Sequence, residues 1–144
     1  MHRLLTLPAL ILGAAIFSTA CDDDSPTTPT TPTAPTALED VFGGGDTALT
    51  LTVNGAATHP FIVQRVGEVS ATINALEPDA AAVISIALGT WNGVTCQILL
   101  ANDAATTNGS VIGQATTVGN FCVRLSDVGR LTAPTNYTIT VKHF

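Results

Sequence analysis

Charge is scarce in this chain, positive charge most of all. Lysine and arginine total 5 against 11 acidic residues, and charged residues are only 11% of the sequence. A formal net charge of −6 argues against nucleic acid or an anionic lipid surface as a partner, since both demand clustered cations. Cysteine is also sparse: the 3 cysteines include no CxxC pair and have no nearby histidine, so a zinc ligand set is not expected. No second long apolar run follows residue 20, which removes the expectation of a second membrane segment. No stretch keeps a helical period, so helices are not expected. Beyond residue 20 the histidines are His59 and His143, and nothing places a nucleophile beside either. They read as surface histidines, and no enzyme, metal or cofactor is expected.

What is present begins with an address. His2 and Arg3 precede the apolar stretch Leu4–Phe17, and Ser18-Thr19-Ala20 are small. The apolar stretch falls short of the about 20 residues that span a bilayer, and it is broken by Pro8 and Gly13. Basic, apolar and small regions in that order are the pattern of a secretory signal peptide, residues 1–20. The small residues end on Cys21, an arrangement that resembles the lipobox of bacterial lipoproteins. The resemblance implies cleavage before Cys21 and lipidation (palmitate) of its thiol. The protein is then exported and lipid-anchored in the bacterial cell envelope, periplasmic or surface-exposed, with the membrane as its partner through the N-terminal lipid. Each buried methylene of such a chain adds about 0.8 kcal/mol of membrane affinity. The alternative is ordinary cleavage and a plainly secreted protein, because Ser18 and Ala20 also satisfy the small–x–small rule.

Residues 21–37 form the expected lipid-anchored linker. Asp22–Thr36 reads DDDSPTTPTTPTAPT, with nothing to bury. Proline favours extended polyproline II, a semi-rigid spacer of about 3.1 Å per residue. A glycosylated stalk is the other reading of such a run.

Residues 38–144 are about 107 residues, enough for one domain with a core. Two cysteines remain there, Cys96 and Cys122. Export places them where disulfides persist, and closing a loop of about 27 residues would stabilise the fold by roughly 3–4 kcal/mol. The other reading is a pair of buried thiols. Period-two alternation recurs: Leu49, Leu51 and Val53; Phe61 and Val63; Val69, Ala71 and Ile73; Ile84, Ile86 and Leu88; Cys96, Ile98 and Leu100; Phe121, Val123 and Leu125; Tyr137, Ile139 and Val141. Turn signals separate these runs, among them Asn54-Gly55, Glu77-Pro78-Asp79 and Gly89-Thr90-Trp91-Asn92-Gly93. Seven to nine short strands so spaced predict an all-β, antiparallel β-sandwich with a Val/Ile/Leu/Phe interior and Thr-rich outer faces. Cys122 has the opposite parity to Phe121 and Val123, so its bond requires either the outer face of a sheet or a bulge.

Three of these strands carry a further likeness. Gly67-Glu68-Val69-Ser70-Ala71-Thr72-Ile73, Gly119-Asn120-Phe121-Cys122-Val123-Arg124-Leu125 and Tyr137-Thr138-Ile139-Thr140-Val141 resemble the strand motifs of the bacterial pre-peptidase C-terminal domain family. The resemblance implies a jelly-roll-like sandwich of the kind appended to exported peptidases. Here the sequence before the module is an anchor and spacer, with no peptidase domain and no acidic calcium motif.

A few residues stand out as candidates. Trp91 reads either as a stacking surface for a sugar or partner, hence a ligand-binding residue, or as a lid over the end of the core. Asp103 and Asp127 flank the cysteine strands and read as solvated loop acids, too few for calcium. Arg124 reads as an outer-face residue or a partner of Asp127. The functional expectation is a non-catalytic envelope lipoprotein displaying a module that binds an envelope protein or polysaccharide. Alternatives are an accessory module acting in trans on an exported hydrolase, or a hydrolase using Asp103, Asp127 or His143.

Overall fold

The computed structural model describes residues 34–144. The expected signal peptide 1–20, the expected lipidation site Cys21 and the expected linker up to residue 33 lie outside the described residues. Nine strands form: β1 Leu38–Phe42, β2 Leu49–Leu51, β3 Ala56–Val63, β4 Gly67–Glu77, β5 Ile84–Trp91, β6 Cys96–Ala105, β7 Ser110–Ala115, β8 Gly119–Ser126 and β9 Thr135–His143.

They make two antiparallel sheets. Sheet A runs β1-β9-β4-β7, with β2 also paired to β9, and sheet B runs β3-β8-β5-β6. Strands β1 and β2 share one side of β9, at Ile139–His143 and Thr135–Tyr137. They are two pieces of one edge strand, interrupted by the excursion 43–48. Counted so, eight strands cross between sheets in jelly-roll order, the β-sandwich that the alternating pattern predicts. The inward-facing residues of each strand, such as Val69, Ala71 and Ile73 on β4 or Tyr137, Ile139 and Val141 on β9, meet Phe61, Val63, Ile84, Ile86, Val123 and Leu125 in one core.

Several boundaries move. Asn54-Gly55 is a turn, as expected, but it carries the chain from one sheet to the other instead of closing a hairpin. Gly89-Thr90-Trp91 is not part of a turn. Strand β5 continues through Trp91, and the turn begins at Asn92, whose Oδ1 accepts the N–H groups of Val94 (2.9 Å) and Thr95 (2.8 Å). Such an Asx turn needs no glycine at its first position. Strand β6 likewise continues through Asn102–Ala105, read from sequence as loop.

The Cys96–Cys122 disulfide is present, with the Cα atoms 5.8 Å apart. It joins β6 to β8 across the intervening β5, where Cys122 pairs with Gly89 and Cys96 with Trp91. Two flat ladder steps would separate those strands by about 9.6 Å, so the sheet is folded there. A register shift between Leu88 and Gly89 accompanies the fold. Strand β8 keeps its register on both sides, so Cys122 does lie on the outer face, although it is fully buried.

The turns gather in two sets. Turns 64–66, 92–95 and 116–118 lie at one end of the sandwich, and 52–55, 78–83, 106–109 and 127–134 at the other. The chain enters at the first end. Pro35, Thr36 and Leu38 line a shallow recess with Gln64, Arg65 and Phe144, and the Phe144 carbonyl accepts the N–H groups of Gln64 and Arg65 at 2.8 and 2.9 Å.

Candidate functional site

Alternation sends Ser70 and Thr72 of β4 and Thr138, Thr140 and Lys142 of β9 to the outer face of sheet A, opposite the buried Ala71, Ile73, Ile139 and Val141. Register pairs Thr72 with Thr140 and Ser70 with Lys142. Asn74 continues the same parity at a bulge between Ile73 and Ala75, and its Nδ2 donates to Thr140 Oγ1 at 2.8 Å. The 106–109 turn docks on that bulge: Asn108 N–H donates to the Ile73 carbonyl at 2.8 Å and Ile73 N–H to the Gly109 carbonyl at 2.9 Å. From β1, Glu39 meets Lys142 at 2.8 Å. The result is an open groove of about 440 Å³ lined by Glu39, Thr72, Asn74, Asn108, Thr140 and Lys142. Its floor is hydroxyl and amide, and its one ion pair is more than half exposed, which limits that pair to a positioning role. The groove can offer hydrogen bonds to a polar ligand. The Thr-rich parity is visible in the sequence and extends to Asn74, whereas Asn108 is delivered by a turn.

The other recesses are poorer. An apolar cleft between the β6 and β7 edges, bordered by Val69, Leu88, Leu100, Gly113, Ala115 and Phe121, has a volume of about 40 Å³. That is little more than one water and far below a small-molecule site.

The histidines are not on the surface, contrary to expectation. His59 is half-buried between the sheets, stacked on Phe42 at 4.7 Å between ring centroids. Its Nε2 lies 2.8 Å from the Tyr137 hydroxyl. Burial pushes the imidazole below its ordinary range and the Tyr137 phenol above its own. His143 is 3% exposed, with Nε2 3.0 Å from Asp40 Oδ2 and its ring 5.2 Å from that of Phe61. Its Nδ1 is buried without a partner. The signal was parity: His59 precedes Phe61 and Val63 by even steps, and His143 follows Tyr137, Ile139 and Val141 likewise. The pairs His59–Tyr137 and His143–Asp40 place no serine, threonine or cysteine nucleophile at either ring.

The remaining candidates are dispersed. Asp127 lies in its loop and is partly exposed, as expected, but its carboxylate is taken up by backbone. Its Oδ1 accepts the N–H groups of Gly129, Arg130 and Leu131, and its Oδ2 that of Asn54. The Asn54 bond foremost holds its carboxyl below the usual carboxylate range; desolvation, next in size, opposes it, and the bonds from Leu131, Arg130 and Gly129 add to the lowering. Asp103 accepts from Ser85 Oγ at 2.7 Å on the outer face of sheet B. Arg124 shares that outer face, paired in register with Ala87 and Thr58. Trp91 ends β5, partly exposed, on the opposite sheet from the polar groove. Among the described residues, no three His, Cys, Asp or Glu side chains come together as a metal site.

No family model matches the chain, and no curated protein matches it. Among solved structures it is similar to a mitogen derived from Yersinia pseudotuberculosis, with a TM-score of 0.51 and 13% identity over 77% of this chain and 88% of that one. At such identity the likeness supports a shared β-sandwich architecture and nothing more specific.

Proposed function

We propose that the protein is a non-catalytic bacterial envelope lipoprotein, anchored through Cys21, whose jelly roll is a binding module held on a Thr/Pro spacer. The observation that carries the binding role is the groove on sheet A. Hydroxyl and amide groups from Thr72, Asn74, Asn108 and Thr140 suit a ligand that itself presents hydroxyls and amides, as an envelope polysaccharide does. Export, lipidation and the spacer rest on the sequence of residues 1–37.

The test has two parts. Intact mass of the protein extracted from native membranes is expected to begin at Cys21 and to include acyl chains. An unmodified mass starting elsewhere removes the anchor. Binding to purified envelope polysaccharide is expected to weaken by about thirtyfold in the Asn74→Ala, Thr140→Val double variant, which deletes two hydrogen bonds of about 1 kcal/mol each. Recovery of an exported hydrolase with no polysaccharide binding would instead make the protein an accessory module acting in trans, the setting implied by the likeness to pre-peptidase C-terminal domains.

A further inference from the structure

We infer that the end of the sandwich formed by turns 64–66, 92–95 and 116–118 docks on the bilayer that holds the chain's own anchor. The inference rests on the lipoprotein reading above and adds to it an orientation and a contact surface.

Each of these three turns presents one aliphatic side chain to solvent. Val94 is 81% exposed, Val118 60% and Val66 58%. Turns ordinarily carry Gly, Asn, Asp, Ser or Pro for conformational reasons, and valine serves none of them. The three turns are neighbours. Val63 pairs with Gly119 and Gly67 with Ala115, which sets 64–66 beside 116–118. The Cys96–Cys122 bond ties 92–95 to the start of β8.

Two further observations select the bilayer as the occupant. The first is where the chain enters. Pro35 and Thr36 lie against Gln64, Arg65 and Phe144, so the chain that leads back to Cys21 leaves the domain at this end. A spacer of about 15 residues, at about 3.1 Å per residue, keeps this end within about 47 Å of the surface and raises its effective concentration there. Weak insertion by three valines is then sufficient for occupancy. The second is an interfacial aromatic. Trp91 immediately precedes the 92–95 turn, which places the sole tryptophan at the depth where membrane-interface tryptophans reside.

The experiment uses the full acylated chain, its acyl mass verified, in phosphatidylcholine vesicles containing lipid brominated near the headgroup. Trp91 fluorescence is expected to be quenched, and quenching to fall several-fold in the Val66→Asp, Val94→Asp, Val118→Asp variant. Val53→Asp, at the opposite end, is expected to quench like the parent. An acylated, vesicle-bound chain whose Trp91 is not quenched overturns the docking and leaves the anchor intact. A chain with no acyl mass overturns the anchor and the docking together. Quenching that vanishes on dilution of protein at fixed lipid would assign the end to a second copy of the chain, and also overturns the inference.

Discussion

Asp127 shows how much one exposed side chain can organise. Its carboxylate closes the 127–134 turn on itself and, through Asn54, fastens that turn to the 52–55 turn beside it. Because its folded pKa is depressed, the stability it contributes is fully present above the ordinary aspartate range near 3.9 and is lost as pH falls through the folded value. Asp127→Asn is expected to lower the denaturant midpoint at neutral pH and to flatten its decline in acid; parallel pH profiles for parent and variant would refute this. His59 has the same sign of pH dependence in a different window. Burial lowers its pKa, so below about 6.5 the unfolded chain takes up the proton first and stability falls with pH. Tyr137→Phe removes the partner of His59 Nε2 and is expected to destabilise by about 1 kcal/mol in chemical denaturation. Both histidines were within reach of sequence reasoning. The alternation that places Phe61 and Val141 inside extends by two residues to His59 and His143, but the polar character of the ring outweighed the parity. What no parity rule contains is the partner: Tyr137 and Asp40 lie 78 and 103 residues away from their histidines.

At the scale of elements, the edge strand of sheet A is where glycine matters most. Strands β1 and β2 flank a six-residue excursion opposite Thr138, and Gly43 turns the chain out at φ 78°. A Cβ there would strike the Tyr137 carbonyl oxygen. Gly45 has φ 56° but nothing within 4 Å. Gly43→Ala is therefore expected to destabilise by about 2 kcal/mol or more and Gly45→Ala by about 1, the left-handed strain alone; equal effects on thermal unfolding would contradict the contact. Replacing Cys96 and Cys122 together by alanine should remove about 3 kcal/mol, measured as a lower denaturant midpoint. The strands were legible because period two survives any strand order. Their ends were less so. Trp91 stays in β5 because it pairs with Cys96, and Asn102–Ala105 stay in β6 because Ile84 and Ile86 pair there. Those partners are fixed only in three dimensions. The groove illustrates the same limit: Thr72, Asn74 and Thr140 alternate visibly, while Asn108 arrives by a turn docked on Ile73.

For the whole molecule, the sandwich is asymmetric end to end, with its three most exposed turn valines gathered where the chain enters. Cys21→Ser is expected to shift the protein from the membrane fraction to a soluble one without altering the unfolding midpoint of the 38–144 domain; retention in washed membranes would point to another means of attachment. The entry point has a mechanical consequence as well. Strand β1 begins at the tethered end and runs antiparallel to β9 from Leu38–His143 to Phe42–Ile139. Tension on the tether, with the domain gripped by whatever it binds, pulls along the axis of β1. The ladder is then loaded in shear, its hydrogen bonds sharing the force and the Asp40–His143 contact reinforcing them. A hairpin peeled from its open end would yield one bond at a time; this attachment has to give way all at once.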